Sequence, residues 1–128
     1  MNISEIAMKT NISTETLRYY ERIGIIPPVP RKANGIRSYD EKFIDWINLV
    51  QKLKDLGMSL EMIVNYFELA KLGDDTSSGR KALIQEIREN LLEKILHLQM
   101  TLQKIDYQLN NYDEVLLPET ENTIHQWN

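Results

Sequence analysis

No cysteine occurs among the 128 residues, which excludes disulfides, thiolate metal sites, iron–sulfur clusters and cysteine-based redox sensing together. Histidine is nearly absent: His97 and His125 are too few to build a convincing metal site, and neither a metal nor a cofactor is expected. With 5 glycines and 4 prolines the chain is neither collagen-like nor broadly disordered. No apolar run approaches the roughly 20 residues a membrane-spanning helix needs. The opening Met1-Asn2-Ile3-Ser4-Glu5 lacks the basic and apolar stretches of a secretion signal. A cytoplasmic protein without a membrane partner is the expectation. Enzymatic hallmarks are missing as well: there is no Gly-rich phosphate loop, nucleophile–base pair or carboxylate cluster in a plausible pocket, so no catalytic residue is expected.

An excess of positive charge, the usual mark of a nucleic-acid binder, is also lacking, since the net charge is −4. The deficit is uneven. Residues 1–60 carry nine Lys/Arg against seven Asp/Glu, a balance of +2, whereas residues 61–128 carry six against twelve, a balance of −6. Between positions 9 and 37 the basic residues Lys9, Arg18, Arg22, Arg31, Lys32 and Arg37 face only Glu15 and Glu21. Phosphate binding depends on the charge facing the duplex, so a basic N-terminal patch is compatible with an acidic whole.

Periodicity predicts mostly helix. Ser4 reads as the N-cap of a short first helix reaching about Thr10, with Ile3, Ile6 and Ala7 on one face. Ser13 reads as the cap of a second, Thr14 to about Ile23, which Gly24 ends. Two short helices joined by about three residues make a helix-turn-helix. The Ile25–Pro30 stretch holds three prolines and cannot be helical. Asn34-Gly35 then signals a tight hairpin turn with basic residues on both sides of its tip. Asp40 and Ser59 read as caps of a third helix, to about Leu56, and a fourth, to about Leu72. From Arg80 to Tyr112 neither Pro nor Gly occurs. The apolar residues Ile84, Ile87, Leu91, Ile95, Leu98, Leu102, Ile105, Leu109 and Tyr112 recur at alternating three- and four-residue steps, with one break near 91–95. At 1.5 Å per residue such a helix is roughly 50 Å long, too long to bury its stripe on a domain of ~70 residues. A second copy of the chain is the natural partner, and these nine residues are the expected dimer interface.

On the second helix Leu17, Tyr20 and Gly24 fall on the core side, leaving Thr14, Arg18 and Arg22 outward with Glu15 and Tyr19 beside them. A helix presenting Thr, Arg and Tyr can enter a major groove, and Arg31, Lys32 and Arg37 of the hairpin can reach the flanking backbone.

The run Thr16-Leu17-Arg18-Tyr19-Tyr20-Glu21-Arg22-Ile23-Gly24-Ile25-Ile26, followed by Pro27, Arg31, Asn34-Gly35-Ile36-Arg37 and Tyr39, resembles the signature of the MerR family of bacterial transcriptional regulators. The opening Ile3–Ala7 and the later Leu53–Leu60 fit the same pattern. The resemblance implies a mainly α protein, divided into a winged helix-turn-helix DNA-binding domain over 1–72 with a small β-hairpin wing, a linker over 73–79, a dimerisation helix over 80–112 forming an antiparallel coiled coil, and a C-terminal tail over 113–128, read as loosely ordered. It implies a homodimer on a pseudo-palindromic site in double-stranded promoter DNA, distorting the spacer in response to a signal so that RNA polymerase engages both promoter elements. By position, Arg18, Tyr19, Arg37 and Tyr39 are the implied DNA contacts; the full candidate set is Ser13, Thr14, Thr16, Arg18, Tyr19, Arg22, Arg31, Lys32, Arg37 and Tyr39. Ile36 departs from the tyrosine often found there, which implies a different wing packing.

The missing cysteines give no support to the metal and redox sensing of other family members, and the short C-terminal region leaves no room for a separate effector domain. Any small-molecule effector, of unknown identity, would fall to aromatic residues such as Tyr66, Phe67, Tyr107 and Tyr112, for which ordinary packing is the simpler account. The alternative function is a MerR-like protein-interaction module modulating a chaperone or another regulator, to which the acidic C-terminal half is suited and against which the basic wing argues. An excisionase-like architectural factor is a third reading, weakened by the long helix.

Overall fold

The computed structural model describes residues 1–127, and among these it contains six α-helices and one 3-10 turn. The helices are α1 (Ile3–Thr10), α2 (Thr14–Ile23), α3 (Lys42–Asp55), α4 (Leu60–Lys71), α5 (Ser77–Asn110) and α6 (Leu116–His125). The chain divides into two units, Met1–Ile87 and Arg88–Asn128.

The first unit is organised by its caps. Asn2, not the expected Ser4, starts α1: its side chain accepts the Glu5 N–H at 2.9 Å, and Ser4 lies one residue inside the helix. The expectation missed that Asn is as good an N-cap as Ser and stands earlier in the chain. Asn11, in the left-handed conformation (φ 56°), ends α1, and two residues later Ser13 caps α2 by accepting the Thr16 N–H at 3.1 Å. Gly24 ends α2 at φ 84°, a conformation that costs a side-chain-bearing residue about 1 kcal/mol or more. Glu41 occupies the N-cap position of α3 and makes no side-chain cap bond; Asp40, the expected cap, stands one residue earlier, and its carboxylate accepts the Lys42 N–H at 2.9 Å. Ser59 caps α4 through the Met62 N–H at 3.2 Å.

The apolar faces so aligned enclose one core. Ile6, Leu17, Ile25, Ile47, Val50 and Ile63 are completely buried, and Tyr20, Ile26, Tyr39, Leu53 and Phe67 are nearly so. No polar or charged residue among those described belongs to the buried set. Trp46 fixes the segment after α2, its indole N–H donating to the Ile25 carbonyl at 2.8 Å, and its ring stacks obliquely on Phe67 at 4.9 Å.

The segment expected as a linker is ordered. Asp74–Thr76 forms the 3-10 turn and α5 begins at Ser77, three residues earlier than its sequence pattern indicated. The Thr76 hydroxyl bonds the Leu69 carbonyl at 2.8 Å, accepts from Arg80 Nε at 3.1 Å, and so ties the start of α5 to α4. Ile84 and Ile87, expected in the dimer seam, rest against the core of this first unit.

In the second unit, Leu91, Ile95, Leu98, Leu102, Ile105 and Leu109 along α5, and Tyr112 in the turn after it, are exposed, at 43–70% of their full accessibility. After Asn110 a turn closed by Val115 N–H to Asn111 C=O (2.9 Å) and Leu117 N–H to Tyr112 C=O (2.8 Å) leads into α6. The tail expected to be loosely ordered is therefore helical over Leu116–His125, with Pro118 within the first turn, where its missing N–H costs nothing. No helix among the described residues is long and apolar enough to cross a membrane.

Candidate nucleic-acid interface

Two elements of the first unit carry the candidate residues, α2 and the hairpin after it. On α2, core packing of Leu17 and Tyr20 turns Arg18, Tyr19 and Arg22 outward. The Arg22 guanidinium stacks on the Tyr19 ring at 5.2 Å, which restrains both long side chains. Thr14 and Thr16 are half-buried at the N-terminal end. The Ser13 hydroxyl is engaged twice, donating to Thr16 Oγ1 at 2.8 Å and accepting the Thr16 N–H, so capping occupies it and leaves the Thr16 hydroxyl proton to act outward.

The wing is smaller than a two-stranded ribbon. A single antiparallel bridge joins Arg31 and Arg37. Lys32 N–H donates to Ile36 C=O at 2.8 Å, and Gly35 N–H donates to Lys32 C=O at 2.9 Å. Ala33-Asn34-Gly35 thus forms a three-residue loop in which Gly35 alone takes positive φ (83°), rather than a turn with both Asn34 and Gly35 in that region. A turn followed by a left-handed glycine is the usual three-residue hairpin solution. The Asn34 side chain accepts from the Ile36 N–H at 3.1 Å, and Arg31 Nη1 caps the Gly35 carbonyl at 2.8 Å.

Between α2 and the wing lies a cleft of about 490 Å³ lined by Arg18, Glu21, Arg22, Pro28, Arg31 and Arg37. Four of the expected DNA contacts therefore converge on one hollow, while Lys32 stands exposed near the wing tip. Glu21 and Pro28 were not in the expected set. Glu21 holds Arg37 Nε with Oε1 at 2.8 Å and accepts the Val29 N–H with Oε2 at 2.8 Å. Burial alone would raise the Glu21 pKa. The Val29 N–H, the Arg37 hydrogen bond and the charges of Arg37 and Arg31 outweigh it, and the carboxyl sits below its ordinary value of 4.5. An acidic residue between Arg18 and Arg22 was the signal available in the sequence.

Tyr39 is not on this surface. It is 1% exposed, its ring meets Phe43 edge-on at 5.3 Å, and its backbone N–H donates to Met1 C=O at 2.7 Å. Its hydroxyl is buried and finds no hydrogen-bond partner among the described residues; burial raises its pKa, and the nearby arginines only partly oppose this. Packing against Phe43, rather than any local alternation, places it in the core.

The aromatic residues considered for an effector fall in different units. Phe67 is 5% exposed, packed between Trp46 and Tyr66, and Tyr66 carries the Arg80 guanidinium at 5.8 Å from its ring centre. Tyr107 and Tyr112 are exposed in the second unit. Among the described residues no group of three or more His, Asp or Glu could hold a metal ion.

Against known families, the model for "MerR HTH family regulatory protein" matches residues 1–69, and that for "MerR, DNA binding" matches residues 44–107. The chain belongs to the MerR family. It is 43% identical over 73% of its length to the HTH-type transcriptional regulator AdhR of Bacillus subtilis, of which it spans 66%. It is 35% identical to the HTH-type regulator YyaN of the same organism, with 94% of this chain and 96% of that one covered. Among solved structures it is similar to HiNmlR, a MerR family regulator lacking the sensor domain, bound to promoter DNA. That likeness has 34% identity, a TM-score of 0.59, and coverage of 91% of this chain and 92% of HiNmlR. This MerR-family protein is a DNA-binding transcriptional regulator with the winged helix-turn-helix and long helix of that fold.

Proposed function

We propose that the regulator acts in the cytoplasm as a homodimer on a pseudo-palindromic promoter site, with α2 in the major groove and the wing on the adjacent backbone. One observation carries this reading: Arg18, Arg22, Arg31 and Arg37 line a single cleft on a chain whose net charge is negative. Arg18, Tyr19, Arg22 and the two threonines serve the groove, and Arg31, Lys32 and Arg37 serve phosphates. Ser13 acts through its cap, and Tyr39 supports the wing from within the core. The apolar stripe from Leu91 to Leu109 on α5 supports pairing with a second copy, because two such stripes bury each other in a coiled coil. Two wings and two helices on one duplex supply contacts enough to offset the several kcal/mol that distorting a promoter spacer costs, on the order of 1–6. Distortion of the spacer is the step that presents the promoter to RNA polymerase. HiNmlR was solved on promoter DNA, which favours the same class of target here.

Footprinting the purified protein on the DNA upstream of its own gene, at several salt concentrations, tests the proposal. A two-fold-symmetric protected site of about two helical turns, with affinity falling steeply as salt rises, is expected. Binding that is equally weak on every sequence would refute it.

A further inference from the structure

Glu21 is out of place in the cleft. A phosphate approaching Arg18, Arg22, Arg31 and Arg37 meets the field of this carboxylate, and a neutral side chain would make the hollow more attractive to DNA. Yet both oxygens are committed inward. Oε1 takes Arg37 Nε and Oε2 takes the Val29 N–H, each at 2.8 Å, with the Glu21 side chain 17% exposed and that of Arg37 24% exposed. The three groups come from three segments: the last turns of α2, the proline-rich loop, and the returning arm of the wing. Beyond this carboxylate, what defines the wing is one bridge and a few turn bonds.

We propose that Glu21 is a positioning residue for DNA binding: its carboxylate locks the wing to α2 and holds the Arg37 guanidinium so that its remaining N–H donors face a backbone phosphate. The proposal rests on the DNA-binding reading above. A guanidinium has five N–H donors in a fixed plane. Anchoring Nε to a carboxylate sets that plane before DNA arrives, and the ordering cost is met in folding rather than on binding. Arg31, whose Nη1 is bound to the Gly35 carbonyl, is restrained within the wing itself, so Glu21 is the link between the wing and the helix.

The consequence has an unusual sign. Glu21→Gln removes a negative charge from a phosphate-binding cleft, which by charge alone strengthens binding. The single amide oxygen can serve either Val29 or Arg37, and the amide NH2 then opposes the other donor. In the full-length protein, Glu21→Gln is expected to weaken binding to the footprinted duplex about tenfold or more, and to lower the slope of log affinity against log salt by about one contact. Affinity for a scrambled duplex should be unchanged or higher. Glu21→Asp, which keeps the charge but is too short to span both donors, should also lose specific affinity, and it keeps the test open if Glu21→Gln folds poorly. Arg37→Ala combined with Glu21→Gln should bind no more weakly than Arg37→Ala alone. Equal or tighter specific binding by Glu21→Gln or Glu21→Asp, or additive losses in the double variant, would overturn the proposal while leaving the DNA-binding reading standing. Failure of the unaltered protein to prefer its upstream duplex would instead overturn the reading beneath it.

Discussion

Replacing Leu98 and Leu102 together by glutamate places charge in the middle of the α5 stripe. In the single chain these leucines are 66% and 57% exposed, so well over half of each side chain is still available to be covered. Complete burial of a leucine stabilises by about 1.5–3 kcal/mol, which leaves roughly 1–2 kcal/mol for the uncovered part of each. A two-fold dimer contains each position twice, so the four leucines contribute about 4–8 kcal/mol to association, before the cost of desolvating the new carboxylates. At about 1.4 kcal/mol per tenfold, the dimer dissociation constant should rise by roughly three decades or more. Sedimentation velocity over a range of micromolar concentrations reads this directly. The unaltered protein should sediment as a dimer and the variant as a monomer, with the first unit's thermal transition preserved because neither leucine belongs to its core. Operator affinity should fall with dimerisation. A variant that remains dimeric would show that the interface lies elsewhere.

Arg18→Ala should weaken specific DNA binding by about 1–3 kcal/mol with the dimer intact, since it removes one donor group from the cleft and nothing from the core; unchanged affinity would exclude it from the contacts. Ile47→Ala empties a completely buried site on α3 and should cost about 2–5 kcal/mol of stability by urea unfolding, and a loss below about 1 kcal/mol would mean that the core relaxes around it. The Glu21 interactions also have a pH signature. Because its pKa in the folded state is below 4.5, the stabilisation is complete above that value and is lost as the pH falls through the lower folded value. The stability gap between the unaltered protein and Glu21→Gln should therefore be constant from about pH 6 to 8 and close in more acid solution; a gap that does not change with pH would show that the carboxylate's charge has no part in it.

Features written in local spacing were legible in the order of residues alone. Ser13 and Ser59 cap helices, and Gly24 ends α2, because a cap is made with backbone two or three residues away. The inward Leu17 and Tyr20, the outward arginines, and the apolar stripe of α5 follow from the helical repeat alone. Even the choice between Asn2 and Ser4 was local, and missed only because two good capping residues stood close together. The tertiary structure decided the remainder. The family resemblance puts Tyr39 among the DNA contacts, and nothing in its local spacing marks it as buried. Its burial depends on Phe43 and Met1, one of them 38 positions away. Ile84 and Ile87 belong to the same apolar repeat as the stripe beyond the break near 91–95, yet whether they meet a second chain or the first unit's own core depends on which apolar surface the folded first unit leaves uncovered. Glu21 entered the sequence reading only through the charge balance and the motif run, and its role appears when the chain brings Val29 and Arg37, 8 and 16 residues onward, to its two oxygens. Spacing along a helix is set by covalent geometry and is legible in one dimension, whereas these three outcomes come from contacts between segments that only the folded chain brings together.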